Sequence, residues 1–551
     1  MVRILCPGLS PDGLSFGMQQ KGSGDNLSTY PYHSARAVVV GSRGAVATAQ
    51  PQAALAGMEM LLKGGSAGDA AVAMAAALTV LEPTSNGLGS DAFALVWADK
   101  PIGLNASGRS PRDLDLTALP REGIYPQQGW LPVTVPGAVS GWVALWRRFG
   151  KLDLSQVLAP AIRYAGEGFA LSPVVARSWR RAFASYQGLP EPLRQSFYNQ
   201  FFPAGFTPKP GAIFRSPDLA HSLNEIAESE GESFYRGRLA AEIADFAAAS
   251  GGYLTRGDLA AHQAEWVEPL ALDYRDCTVY ELPPNGQGVA ALEALGILAG
   301  FDPGRFPRDS VESFHLQIEA MKLALADATR HVADPAYMTI APEQLLAPAY
   351  LASQRERIDS EALDIAPEGP GGGTVYLAAA DGEIAVSFIQ SNFAGFGSGV
   401  VVPETGIALQ NRGACFSLAP GHPNVAAPNK RPYHTIIPGF LAREGQPWGP
   451  FGVMGGMMQP QGHLQVVVNL VDYGLNPQAA LDAPRFKIDG DKVWLEAAVP
   501  VHVALGLADL GHTVVLSPEA APFGRGQVIL RQGQVWVAGS EPRADGVALA
   551  W

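Results

Sequence analysis

The sequence is poor in the residues on which several common chemistries depend. It has only three cysteines in 551 residues, Cys6, Cys277 and Cys415, and their odd number and wide spacing give neither a disulfide framework nor a cysteine metal site. The ten histidines form no HExxH and no HxH, so no metal ligand set is read and no cofactor is expected. Basic residues are outnumbered, 39 against 52 acidic, and the net charge of −13 argues against nucleic acid or an anionic membrane as partner. There is no run of about eighteen apolar residues that could span a membrane. The N-terminal stretch MVRILCPGLSPDGLSF has one basic residue and no sustained apolar segment, so no signal peptide is read and a cytoplasmic location is expected. The dinucleotide fingerprint GxGxxG and the P-loop are both missing. A GxSxG motif at Gly64-Gly65-Ser66-Ala67-Gly68 links two predicted helices, so it lacks the strand that a serine nucleophile elbow needs.

What is present is a chain 47% hydrophobic and 17% charged, the balance of a large globular core. Residues 1–35, rich in Gly, Ser and Tyr, read as an irregular lead-in. Two short strand-like runs at 37–40 and 45–49 flank a Ser-Arg-Gly turn and read as a hairpin. Helical periodicity follows over 50–62 and 69–81, the second so small-residued and apolar that burial on most sides is expected. A strand is read at 93–98. The middle reads as mostly helical, with helices at 141–149, 154–166, 174–185, 222–230, 238–250, 289–298 and 311–331. Alternation resumes at 375–380 and 384–388, and strand-like runs recur at 399–402, 407–410, 435–441, 492–495, 514–516 and 528–537, with one helix at 463–472. The acidic, then Pro/Gly-rich stretch 358–373 is the best candidate linker. The expected organisation is a helix-rich large part, 36–373, and a strand-rich small part, 374–551. The small part has few helices to cover its sheet, so both parts are expected to share one core as an intertwined unit.

The most informative local feature is Gly371-Gly372-Gly373-Thr374, three glycines leading into a hydroxyl residue that opens an alternating strand. One reading is an ordinary strand start. The other is a nucleophile created when the chain cuts itself at Gly373–Thr374, because glycine leaves that peptide bond open to attack by the hydroxyl. An N-terminal threonine carries its own base, an α-amine with a reference pKa of about 7.7 to 8.0. That amine can take the hydroxyl proton directly or through water, with no histidine or metal. An acyl-transfer nucleophile also needs donors for the oxyanion. Gly455-Gly456, between an apolar run and a helix, offers two successive backbone N–H groups; a plain turn is the alternative.

Together these residues resemble the γ-glutamyltransferase family of N-terminal-nucleophile hydrolases, most of all its cephalosporin acylase-like branch. The resemblance rests on GGSAGDAAVAMAAALTVLEPTSNGLG, VPGAVSGW, DLAAHQAEWVEPLALDYRDCTVYELPPNGQG, GGGTVYLAAADGE, IQSNFAGFGSGVVVPETGIALQNRG, NKRPYHTIIPGF, FGVMGGMMQPQGH, NLVDYGLNPQAALDAPRF and EPRADG, in order from about residue 36 to the end. It implies an α/β (α+β) fold, a four-layer αββα sandwich formed jointly by two subunits, 1–373 and 374–551, from one self-cleaved precursor. It leaves further homo-oligomerisation open. It makes Thr374 the nucleophile and Gly455 and Gly456 the oxyanion donors.

The departures from the family bear on the substrate. Ser107 stands where glutamyl-transferring members hold the α-carboxylate with an arginine, and Arg109 lies two residues along. Cys415 replaces the acid that holds the α-amine, Arg412 replaces a neutral amide, and His434-Thr435 replace a serine pair. The residue supporting the nucleophile stays open among Gln390, Ser391 and Asn392. A free α-ammonium beside Arg412 and a thiol would be costly to bury, whereas arginine grips carboxylates in bidentate fashion. The pattern therefore points to a small-molecule amide whose acyl chain is glutaryl-like or otherwise lacks an α-amine. A genuine γ-glutamyltransferase or glutathione hydrolase, and an uncleaved inactive relative acting as a binding protein, are the alternatives. Structural roles are weighed beside these: Arg412 in an ion pair, His434 as a wall residue, Arg109 capping a turn and Cys415 as a small apolar filler. Asp91, in a glycine-rich loop, has no account at this level.

Overall fold

The computed structural model describes Tyr32, residues 36–367 and residues 372–551. Apart from Tyr32, the 1–35 lead-in lies outside the described residues, as do 368–371, which include Gly371.

Two seven-stranded sheets dominate, and every pairing within them is antiparallel. The first runs Val547–Ala550, Ala45–Thr48, Gly373–Ala380, Ala385–Phe393, Asp91–Trp97, Pro101–Asn105, Glu265–Val267. The second runs Val39–Gly41, Val535–Ser540, Arg525–Gln532, Gln446–Met454, Gly439–Arg443, Cys277–Glu281, Leu270–Tyr274. Three apolar layers separate the elements. Between the sheets lie Phe93, Leu95, Tyr376, Ile389, Phe440 and Ile529. On the far side of the first sheet, Val386, Phe388 and Leu377 meet helical residues such as Ala73, Leu78 and Trp142. On the far side of the second, Val279, Val453 and Val528 meet Leu292, Ile318 and Leu464. The central strands are thus covered on both faces. That is why Asp91–Trp97 and Ala385–Phe393 are buried at every position, where a sheet with one wet face would alternate.

The helix Ala67–Leu81 is buried along its whole length. Ser66 caps it reciprocally: its Oγ accepts from Asp69 N–H at 3.1 Å, and Asp69 Oδ2 accepts from Ser66 N–H at 2.8 Å. The serine of that GxSxG motif is a helix cap. The helix Val311–His331 has the bounds its periodicity suggests.

Other elements differ from the sequence reading. The hairpin at 37–49 does not form, because Val39 pairs with Ala538 in one sheet and Ala45 with Ala380 and Ala550 in the other. The Ser42-Arg43-Gly44 turn carries the chain between the sheets. Residues 265–281, within the stretch read as mostly helical, form three strands. The run 528–537 is two strands, Arg525–Gln532 and Val535–Ser540, joined by a tight turn.

Residues 358–367 are held by specific bonds. Ala362 N–H donates to Leu510 O at 2.8 Å, and Leu363 N–H to Glu319 Oε2 at 2.9 Å. Beneath them, His315 Nε2–H donates to Asp359 O at 2.9 Å, which leaves Nδ1 to accept from His512 Nε2–H at 2.9 Å. Lys322 Nζ completes the group, 2.8 Å from Glu319 Oε1 and donating to Leu363 O at 3.0 Å.

A second buried cluster ties the strand ends together. Glu541 Oε2 accepts from Arg485 Nη2 and Gly526 N–H, both at 2.8 Å, and Oε1 from Arg543 Nη1 at 2.6 Å. Burial alone would raise the Glu541 carboxyl, but Arg485 and Arg543 hold it below its usual value. Its contribution is therefore complete above the ordinary glutamate range and is lost as pH falls through the depressed folded value. We expect Glu541→Ala to lower stability by about 3–5 kcal/mol, since it leaves the buried Arg485 guanidinium without its carboxylate partner, while Arg543 keeps Glu496. Urea denaturation at neutral pH measures this; a loss below about 1 kcal/mol would contradict it.

Candidate active site

Thr374 is the second residue of the strand Gly373–Ala380 and is buried. Pairing with Ala385–Phe393 is irregular there: Gly373 faces Phe393 but Val375 faces Gln390. The irregularity brings Ser391 under the threonine. Thr374 Oγ1 donates to Ser391 Oγ at 3.2 Å, and Ser391 Oγ–H donates to Gly373 O, the carbonyl of the junction, at 2.7 Å. Ser391 Oγ also accepts from Phe393 N–H at 2.7 Å and Arg412 Nη2 at 3.2 Å. Phe393 adopts φ 75°, a strained conformation for a bulky residue, and its ring lies beneath the Arg412 guanidinium at 4.8 Å.

Of the three residues left open by the sequence, Ser391 is the one whose side chain hydrogen-bonds to Thr374. Successive strand residues point to opposite faces. Gln390 is turned to the helical side, where Nε2 donates to Ala75 O and Asn86 Oδ1 and Oε1 accepts from Trp142. Asn392 Oδ1 accepts from Ser90 Oγ at 2.8 Å.

Arg412 is fully buried. Its Nη1 donates to Thr435 Oγ1 at 2.8 Å and reaches Cys415 Sγ at 3.7 Å. Asp91 Oδ2 lies 3.7 Å from Nε. His434 Nε2–H donates to that same Oδ2 at 3.1 Å, and the His434 ring packs edge-on against Phe93. Burial, with Arg412 and Arg431 nearby, keeps His434 well below its usual pKa and therefore neutral. Arg412, His434, Thr435, Cys415 and Ser391 thus form one network beside Thr374, with Asp91 as its anion.

Ser107 and Arg109 bond to other partners. Ser107 Oγ donates to Asn105 Oδ1 at 2.7 Å, and the neighbouring Gly108 N–H donates to Asp91 Oδ1 at 3.2 Å. Arg109 is half-exposed and ion-paired to Asp334 at 2.6 Å.

Gly455 and Gly456 have φ of 140° and 64°, values open to glycine and strained for other residues. Both precede the helix Met458–Val471. A Cβ placed on Gly372 would lie 3.6 Å from Gly456 Cα, so the pair borders the junction. Gln287, which the sequence reading passed over, fixes that loop: its Nε2 donates to Gly456 O at 3.0 Å and to Thr435 O at 2.6 Å, and its Oε1 accepts from Tyr433. Its only sequence signal is a polar residue between glycines in PPNGQG. Among the described residues, one group has metal-ligand geometry, His315, Glu319 and His512. The Lys322 ammonium already supplies its cation.

Residues 53–551 match the family described as Gamma-glutamyltranspeptidase. The chain belongs to this family. Its members are N-terminal-nucleophile amide hydrolases and acyltransferases. The crystal structure of cephalosporin acylase from Bacillus halodurans is 52% identical, with a TM-score of 0.90 over 95% of this chain and 98% of that one. The Glutathione hydrolase-like YwrD proenzyme of Bacillus subtilis (strain 168) is 35% identical over 93% of this chain and 99% of its own length. The Oxamate amidohydrolase proenzyme of Klebsiella pneumoniae is 36% identical over 91% of this chain and 96% of its own length. This family member shares the mixed α/β architecture with antiparallel sheets of its solved relative. Among its described residues, no helix is long and apolar enough to cross a membrane.

Burial pushes the Cys415 thiol up to about 11 and the Cys277 thiol up to about 12. Both should resist alkylation in the folded protein at about pH 8, where an ordinary cysteine reacts. Peptide mapping after iodoacetamide treatment, with and without denaturant, tests this; rapid native labelling of Cys415 would show the pocket to be open and its thiol activated.

Proposed function

We propose that this protein is a self-cleaving amidohydrolase in which Thr374 is the nucleophile. In the precursor, Thr374 Oγ attacks the Gly373 carbonyl carbon. The peptide C–N bond breaks as an ester forms, and water hydrolyses the ester, freeing the Thr374 amine and a Gly373 carboxylate. The observation that carries this reading is the Ser391 hydroxyl, bonded at once to the threonine hydroxyl and to the junction carbonyl. It polarises the electrophile and holds the nucleophile beside it. In the mature enzyme, the two products 1–373 and 374–551 remain one unit. The α-amine of Thr374 takes the hydroxyl proton as the oxygen attacks an amide, the N–H groups of Gly455 and Gly456 receive the oxyanion, and water releases the acyl group.

The acyl group is one without an α-amine, such as a glutaryl chain. Asp91 is the anion of the pocket, and Arg412 already faces it. While Asp91 is ionised, a glutamyl α-ammonium finds its acceptor already compensated by Arg412, whereas Arg412 and Thr435 take a carboxylate once Asp91 is protonated. Relatives named as a cephalosporin acylase and an oxamate amidohydrolase support amides of this kind. The relative named as glutathione hydrolase-like favours γ-glutamyl donors as the second reading.

On a denaturing gel, two bands are expected from the wild-type protein and one from Thr374→Ala. Ser391→Ala should slow cleavage by roughly 10²-fold, the effect of losing one oxyanion donor; cleavage at the wild-type rate would remove Ser391 from the mechanism. Turnover of glutaryl p-nitroanilide is expected to exceed that of the γ-glutamyl compound by about 10²-fold, the scale of one unpaired buried charge. The opposite preference would select the γ-glutamyl reading and leave Thr374 in place.

A further inference from the structure

Asp91 opens its strand directly opposite Ser391 in register, so the two side chains share the face that holds Thr374. It is fully buried, and each carboxylate oxygen has one hydrogen-bond donor: Gly108 N–H at 3.2 Å on Oδ1 and His434 Nε2–H at 3.1 Å on Oδ2. Its approach to Arg412 is different. Oδ2 is 3.7 Å from Nε, an ion pair without a hydrogen bond, and Nε–H is a buried donor with no acceptor among the described residues. Elsewhere the guanidinium is clamped, by Thr435 at Nη1, Ser391 at Nη2 and the Phe393 ring on its face. Arg412 is therefore fixed on three sides, and its Nε edge faces Asp91 at 3.7 Å without a hydrogen bond.

The charge balance gives that edge a consequence. The ionisable groups facing Asp91 are Arg412, Arg431, His434, Tyr235 and Cys415. His434 is neutral, and burial keeps the Tyr235 phenol and the Cys415 thiol protonated. Arg431 has its own partner, Glu265, bonded through both terminal nitrogens at 2.8 and 2.9 Å. Arg412 and ionised Asp91 then sum to zero. A carboxylate that docks on Arg412 brings a second anion into a space closed to water, and two buried anions around one guanidinium are strongly disfavoured.

We propose that Asp91 is a positioning and specificity-determining residue of the acyl site: it holds Arg412 beside Thr374 through their ion pair and takes up one proton from solvent when an anionic acyl tail binds to Arg412. Burial, working against Arg412, already raises the Asp91 carboxyl to about 7, so the proton is available near neutrality. Anionic donors are then favoured at low pH, where Asp91 is protonated and the pocket carries the charge of Arg412. They lose that advantage as pH rises and Asp91 ionises. Neutral donors of the same shape are indifferent. This rests on the reading of Thr374 as nucleophile and of the pocket as an acyl site.

The test compares glutaryl and valeryl p-nitroanilides, which differ in a terminal carboxylate against a terminal methyl, on the self-cleaved enzyme between about pH 6 and pH 8.5. Titration of the Thr374 amine affects both donors alike and cancels in the ratio of their kcat/KM values. That ratio, glutaryl over valeryl, is expected to fall about tenfold across the range, mainly through the KM of the glutaryl compound. Asp91→Asn should flatten the ratio and hold it at its low-pH value, and Asp91→Glu should restore the slope. A slope that survives Asp91→Asn, or no slope in the wild-type protein, overturns the proposal while turnover of both anilides leaves the amidohydrolase reading standing. The wild-type comparison decides even if Asp91→Asn does not fold. If cleaved wild-type enzyme turns over neither anilide, the acyl-site reading fails and the role of Asp91 fails with it.

Discussion

A guanidinium wholly removed from water must be neutralised and hydrogen-bonded from within the protein, or it costs several kcal/mol. Arg412 is such a group, and the ground around Thr374 is arranged to accommodate it. Asp91 supplies the charge, Ser391 and Thr435 supply acceptors, and Phe393 supplies a ring face. These come from three separate stretches of chain. Ser391 belongs at once to Arg412 and to Thr374, so the side chain that steadies the hydroxyl is itself oriented by a buried charge. The strained backbone at Phe393 is tolerated because the same residue presents its amide to Ser391 and its ring to Arg412.

Much of the fold could be read from local pattern. Long helices with clear periodicity, such as Val311–His331 and Ala67–Leu81, are visible because their apolar positions and caps lie within a few residues of one another. What escaped depends on distant partners. The runs around residues 40 and 47 look like a hairpin because a short turn joins them, yet they pair with strands some 500 residues away, at Ala538 and Ala550. The strands Leu270–Tyr274 and Cys277–Glu281 carry alternating patterns only five residues long, too short to stand out in helical surroundings.

The proposed site divides along the same line. Thr374 and the paired glycines 455 and 456 announce themselves through local sequence grammar. The choice among Gln390, Ser391 and Asn392 does not, because the irregular pairing at Gly373 and Val375 resets which neighbour stands beneath the threonine. Asp91 and Gln287 are polar residues in short glycine-containing stretches, GLGSDAF and PPNGQG, with no local pattern to mark them. Their meaning appears only when Arg412 and His434 arrive beside one, and Gly456 and Thr435 beside the other.

The order of the strands has its own consequence for biosynthesis. In one sheet, residues 45–48 lie between 547–550 and 373–380; in the other, four strands from beyond residue 374 lie between Val39–Gly41 on one side and Cys277–Glu281 on the other. Backbone ladders therefore stitch the two sides of the 373–374 bond together at several seams. If that bond is cut as proposed, the cut relaxes one point of a fabric already woven, and the pieces would part only by unpicking both sheets together. Under that proposal, manufacture would be a one-way sequence in which knitting precedes cutting, with the single uncut polypeptide as the template for its own two-piece form.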